Sequence, residues 1–199
     1  GFPAPDIPPD NELTVARVAL GKKLFYDPIL SWDSSVSCAS CHRQALAFAD
    51  DVPVSPGVDG RLGFRNSPTL ANVAYLDLVN KDGGVAKLDL QALVPIEDHT
   101  EMDFRGLLAA ERLRADPVYA QMSQRAYGRE PSSFVITRAL AAFQRTLISG
   151  EARFDRSERG ETLLTAAEAR GRDLFFSERT NCGSCHGGFN FTFNEFENN

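Results

Sequence analysis

The chain has 199 residues, of which 43% are hydrophobic and 24% charged, and its formal net charge is −6. That is enough for one large or two small domains of ordinary globular composition. The acidic balance argues against nucleic-acid binding, which calls for a basic face, and no apolar run approaches the roughly eighteen residues of a membrane span.

The chain opens Gly1-Phe2-Pro3-Ala4-Pro5, without the charged and apolar regions of a signal segment. Val15, Ala16, Leu20 and Leu24 then form a helical apolar stripe that Pro28 stops. Residues 50 to 100 are rich in Pro, Gly, Asp and Asn and predict long ordered loops, which in a compact domain are usually functional. Asp116-Pro117 is an N-cap followed by a first-turn proline and opens a helix towards Tyr127. Ile136, Leu140, Phe143 and Leu147 recur at helical spacing, as a core-facing stripe does. Thr165 and Glu168 form a capping box for a helix that should run through Phe176. Strand content should be small, a short hairpin at most, so the class is mainly α.

Two copies of one short motif punctuate this pattern: Cys38-Ala39-Ser40-Cys41-His42 and Cys182-Gly183-Ser184-Cys185-His186. Cys-x-x-Cys-His is the attachment signature of c-type haem. Two thiols one helical turn apart bond the porphyrin, and the adjacent imidazole becomes the proximal iron ligand. The motifs use all four cysteines and two of the three histidines. A zinc site would pair the cysteines without needing a histidine after each pair, and a thioredoxin-like motif would need a βαβ setting that the pattern lacks. The segments leading into the motifs also match: Leu13-Thr14 to Gly21-Lys22-Lys23-Leu24-Phe25-Tyr26, and Leu164-Thr165 to Gly171-Arg172-Asp173-Leu174-Phe175-Phe176. Such self-similarity points to a duplicated helix-plus-haem-helix unit. Haem c is attached outside the cytoplasm, so the expected setting is the periplasm, with the chain as the mature form of an exported protein.

A wider set of segments comes in a recognisable order: Gly21 to Pro28, Ser37 to His42, Arg65-Asn66-Ser67-Pro68-Thr69, Gln91-Ala92-Leu93-Val94-Pro95-Ile96, Glu101-Met102 and Arg153-Phe154-Asp155-Arg156. In these the chain resembles the bacterial di-haem cytochrome c peroxidases, the superfamily that includes MauG, over nearly all of residues 10 to 190. The resemblance implies two cytochrome c-like haem domains with long ordered loops and little strand. The first, over 1–150, would carry the peroxidatic haem. The second, begun in 151–199 and incomplete there, would carry the electron-transfer haem. It implies His42 and His186 as proximal iron ligands of the two covalent haem c groups, and Gln91 and Glu101 as residues of the distal pocket. Splitting the O–O bond of peroxide needs a proton moved from the near to the far oxygen, which a carboxylate such as Glu101 can do, while Gln91 can polarise the bound oxygen. Taken without the family, the two residue types read as a surface Glu and a loop Gln. Asn66 matches a position facing a calcium ion between the domains, against the plainer alternative of an Asn holding a loop turn.

Three departures from the family pattern carry expectations of their own. Val58 stands where many members have a histidine that leaves the iron on activation, so the first haem should be open without a priming electron. His99, the one unassigned histidine, reads as a loop or surface residue. Lys81 stands where the family has a tryptophan between the haems. Trp32 is the chain's only tryptophan; it reads as core packing, or else it, Tyr26 or Tyr75 carries oxidising equivalents. In the family a segment beyond the second motif supplies that haem's sixth ligand, commonly Met or Tyr, and neither Met102 nor Met122 lies in the matching region. The leading functional expectation is an enzyme that reduces hydrogen peroxide with electrons from a small cytochrome or copper protein. The alternatives are a MauG-like enzyme that oxidises a tryptophan or similar residue of a partner protein, and a non-enzymatic two-haem electron carrier. Members often dimerise, so a homodimer is a further expectation.

Overall fold

A computed structural model of the chain describes residues 2–193; the expected domain limits Gly1 and Asn199 lie outside them. The chain divides into two compact units, one over Asp6–Leu147 and one of the residues from Ile148 onward together with the N-terminal residues through Pro5.

The first unit is built on α1 (Val15–Tyr26), entered at Thr14, whose hydroxyl accepts the Arg17 amide at 3.2 Å, and ended before Pro28. Leu20, Gly21, Leu24 and Phe25 form its buried face, whereas Val15, expected in the stripe, is 90% exposed. The short α2 (Cys38–Cys41) carries the first motif. The segment expected to be all loop contains two short helices, α3 (Leu88–Gln91) and α4 (Leu93–Glu97). Four- and five-residue helices are too short to show a 3.6-residue apolar period, which is why composition hid them. Next come α5 (Gly106–Ala115), which the sequence reading missed, and α6 (Pro117–Tyr127), where Asp116 caps the amides of Val118 and Tyr119. α7 (Ser133–Gln144) starts at a Ser132 cap and buries Ile136, Leu140 and Phe143 as expected; Leu147 packs on the same core beyond the helix end. Among the described residues there is no hairpin strand pair, only isolated bridges at Arg43–Ala49, Pro56–Leu62 and Val79–Val85.

α1 packs on α7 and α6, and α3 packs on α7. The α1–α7 crossing is set at Gly21, where a β-carbon would collide with the Ala139 carbonyl and press on Phe143. Near the far end of α7 a buried polar cluster anchors α3. Arg145 forms a two-pronged pair with Asp89, Nη1 to Oδ1 at 3.1 Å and Nη2 to Oδ2. Asn11 Nδ2 donates to the same carboxylate at 2.6 Å, and Tyr127 Oη donates to Asn11 Oδ1 at 3.0 Å. Burial pushes the Asp89 pKa up, but the Arg145 and Asn11 hydrogen bonds and the Arg145 charge outweigh it and hold it below the ordinary carboxylate value.

In the second unit, α8 (Arg153–Glu158) precedes α9 (Ala166–Phe175), whose start is the expected Thr165–Glu168 capping box. Phe154, Phe175, Phe176 and Phe191 group around it, with Phe2 edge-on to Phe189 at 5.0 Å.

Replacing Gly21 by Ala should lower stability by about 1–3 kcal/mol through overpacking at the crossing, read as a drop in denaturation midpoint. Asp89→Ala should cost about 3–5 kcal/mol, because it strands the Arg145 guanidinium in the interior; a loss under about 1 kcal/mol, the worth of a surface pair, would contradict that account.

Candidate functional site

The first motif sits on a single helical turn. Ser37 and Ser40 close a capping box at its start, and the His42 amide bonds back to the Cys38 carbonyl at 2.9 Å. Cys38 and Cys41 are half-buried and not joined in a disulfide. Burial is the main cause that pushes the Cys38 thiol up to about 12, and the Cys41 thiol also rises, so both are protonated at neutral pH. Ala47 and Phe48 have positive φ (55° and 59°), a costly conformation for residues with a β-carbon. The turn they make aims the Phe48 carbonyl at His42 Nδ1, 2.9 Å away, with the Pro68 carbonyl at 3.1 Å. Two carbonyl acceptors require the proton on Nδ1 and leave Nε2 as the lone-pair nitrogen. Burial lowers the His42 pKa, so the ring stays neutral, as an iron ligand must.

The second motif repeats the backbone plan. A short turn spans Cys182–Ser184, and the His186 amide bonds to the Cys182 carbonyl at 2.9 Å. His186 Nδ1 lies 3.3 Å from the Phe191 carbonyl. Each motif therefore presents two free thiols and an imidazole held by one nitrogen, and this donor set fits c-type haem.

The Glu101 backbone meets the loop of Val58. The Val58 amide donates to the Glu101 carbonyl at 2.8 Å, and Gly57 lies so close to the Thr100 and Glu101 backbone that a side chain has no room. Val58 itself is fully buried. Glu101 is exposed, and desolvation, followed by the charge of Asp98, raises its carboxyl pKa. The carboxylate charge also acts on the thiols of Cys38 and Cys41, raising both. Gln91 ends α3 half-buried, and its Nε2 donates to Asn80 Oδ1 at 3.1 Å.

Other expected residues fall elsewhere. The His99 side chain is 74% exposed beside Asp98. Trp32 is not core packing: it is 58% exposed, tilted against Phe104 at 6.1 Å, with its amide on the Met102 carbonyl at 2.9 Å. Its neighbours in sequence, Asp33, Ser34 and Ser35, are exposed too, so the core has no wall on that side for the ring to enter. Met102 is buried, and Met122 packs against the same core. Asn66 Oδ1 accepts a hydrogen bond from the Lys81 ammonium, beside an Arg65–Asp82 pair at 3.1 Å. No group of three His, Cys, Asp or Glu side chains among the described residues is placed to hold a metal ion. An ammonium on the one side-chain oxygen expected to face calcium repels a divalent cation, so calcium could reach Asn66 only with Lys81 turned away. The Asn11–Asp89–Arg145 cluster under Gln91 escaped the sequence reading; an acid and a base 56 positions apart carry no local signal.

The model of the di-haem cytochrome c peroxidase family matches residues 15–163. The chain belongs to this family. Its cofactors are accordingly two covalently bound haem c groups. It is 39% identical over 191 residues to the methylamine utilization protein MauG of Methylorubrum extorquens, covering 95% of this chain and 54% of that one. It is 36% identical over 190 residues to the cytochrome-c peroxidase IdrP1 of Denitromonas iodatirespirans, covering 94% and 50%. Among solved structures, a MauG-like protein associated with microbial copper homeostasis superposes with a TM-score of 0.88 at 33% identity, covering 98% of this chain and 60% of that one. The chain thus spans about half the length of the relatives it matches.

Excess EGTA should leave the melting temperature of the haem-loaded protein unchanged. A fall that calcium reverses in the wild type but not in Asn66→Ala would contradict the Lys81 account.

Proposed function

We propose that the protein reduces hydrogen peroxide at an open haem face of the first unit, with Glu101 as the proton carrier. The observation that carries this reading is the backbone bond joining Glu101 to the loop of the fully buried Val58, with the Glu101 carboxyl raised by desolvation and its charge acting on the thiols of the first motif. Cys38, Cys41 and His42 would hold the first haem, and Cys182, Cys185 and His186 the second. When bound, the haems supply the iron at which peroxide is reduced and the electrons that its reduction takes. His42 stays neutral and fixed by the Phe48 and Pro68 carbonyls, so its Nε2 points one way throughout. Val58 has no donor atom for iron and keeps an apolar wall where a histidine would block the face. The ionised Glu101 takes the proton from the near oxygen of peroxide and returns it to the far oxygen, which leaves as water. Gln91 has two amide protons; one is committed to Asn80, and the other remains to polarise the near oxygen.

The donor in this reading is a small redox protein, and the negative net charge suits a basic one. The setting is the periplasm, where haem c is attached, and no helix among the described residues is long and apolar enough to cross a membrane. Oxidation of a partner protein's residue is the second reading; Val58 favours it, because an iron face open at rest needs no prior reduction. Fast turnover with peroxide and reduced cytochrome c supports the first reading, and negligible turnover with a long-lived peroxide-oxidised state supports the second.

Glu101→Gln should slow the reaction with peroxide by roughly 10²–10⁴-fold in stopped flow. Because the ionised form is the active one and its pKa is raised, the wild-type rate should climb with pH along a limb lying above the ordinary 4.5, and the variant should lack that limb. The sign for stability is opposite. A raised pKa means that ionised Glu101 disfavours the fold above 4.5, so Glu101→Gln should melt higher at pH 7, with the gain gone below pH 4.5. A variant that reacts as fast as wild type would remove Glu101 from the mechanism.

A further inference from the structure

The loop of Val58 and the loop of Glu101 are joined by one side chain that no sequence pattern singled out. Arg61 Nε donates to the Val58 carbonyl at 3.2 Å, and its Nη1 donates to the His99 carbonyl at 2.6 Å. Its Nη2 pairs with Asp59 at 3.1 Å and with Asp103 at 2.8 Å. The grip on the second loop therefore falls two residues before Glu101 and two residues after it. The Arg61 carbonyl accepts the Gly57 amide at 2.8 Å, so the first loop closes on itself around the same residue. Both acidic partners, Asp59 and Asp103, sit at positive φ (56° and 48°). Such backbone persists only where its surroundings fix it; the bonds to Arg61 are part of them, beside the Asp103 amide on the Asp98 carbonyl at 2.9 Å.

We propose that Arg61 is the positioning residue of the peroxide site, holding Val58 and the Glu101 backbone in register across the Val58–Glu101 hydrogen bond. The role depends on the planar fork, which reaches two carbonyls and two carboxylates at once; a lysine ammonium keeps the charge but not that geometry. It rests on the reading of Glu101 as the proton carrier.

The test uses the haem-loaded protein with Arg61→Ala, Arg61→Lys and, as a control of general destabilisation, Arg17→Ala. Arg17 holds the Glu12 and Ala126 carbonyls and lies over the Tyr127 ring, away from the loops concerned. Amide hydrogen exchange at Val58 reads the clamp directly, and the peroxide reaction rate reads its consequence. In Arg61→Ala and Arg61→Lys alike, Val58 exchange should quicken by about tenfold or more, and the peroxide rate should fall by roughly ten- to a hundredfold. Arg17→Ala should melt lower yet keep Val58 exchange and the peroxide rate at wild-type values. Unchanged Val58 exchange in Arg61→Ala overturns the proposal, and so does full recovery of both readouts in Arg61→Lys. Faster exchange with an undiminished rate also overturns it, since the loops would then be clamped for stability alone. If Glu101→Gln reacts at the wild-type rate while Val58 exchange still responds to Arg61, it is the proton-carrier reading that has failed, and the clamp stands without that role.

Discussion

The close crossing of α1 and α7 at Gly21 is the constraint on which the first unit depends. Helices approach this closely only where one presents no side chain, and the Ala139 carbonyl fills the space a β-carbon would need. The exits from the crossing then lead to both sides of the proposed site. α1 ends at Asp27-Pro28, and the chain turns into the first haem-attachment motif. α7 ends at Arg145, whose pair with Asp89 holds the short helix carrying Gln91. Packing at one crossing therefore helps to place both His42 and Gln91, although 49 residues separate them in sequence.

Much of this was legible in the sequence because it is local. A capping box, a proline stop, an N-cap before a first-turn proline and a Cys-x-x-Cys-His turn each fit within six residues and state their own geometry. Ile136, Leu140 and Phe143 likewise announce the long buried helix. The expectation of a loop between residues 50 and 100 failed only where the helices shrink to four or five residues, as at Leu88–Gln91.

What stayed hidden is of two kinds. Long-range polar pairs such as Asp89–Arg145 and Arg61–Asp103 join ordinary surface residue types, and nothing in composition says which of many acids and bases will meet. Orientation is the other kind. Trp32 reads as a core residue by its bulk, yet its backbone is fixed at the surface by the Met102 carbonyl and by the Arg112 guanidinium on its own carbonyl. Lys81 reads as a broken family position, whereas its ammonium supplies a positive charge to Asn66. In both cases the side chain's role is decided by what the fold places opposite it.

One physical cause, dehydration, acts on two groups of opposite charge and moves both towards neutrality. It lowers the His42 pKa and raises that of Glu101. For the imidazole, neutrality is what iron ligation requires, and the two carbonyls on Nδ1 settle which nitrogen is offered. For the carboxyl, the same shift brings its proton affinity closer to working pH, where a group that must both take and release a proton is most effective. The cost is carried by the fold: ionised Glu101 is disfavoured by desolvation and by the charge of Asp98. The Arg61 bonds fall on either side of Glu101, at the His99 carbonyl and the Asp103 carboxylate, so they hold the loop that carries this charge.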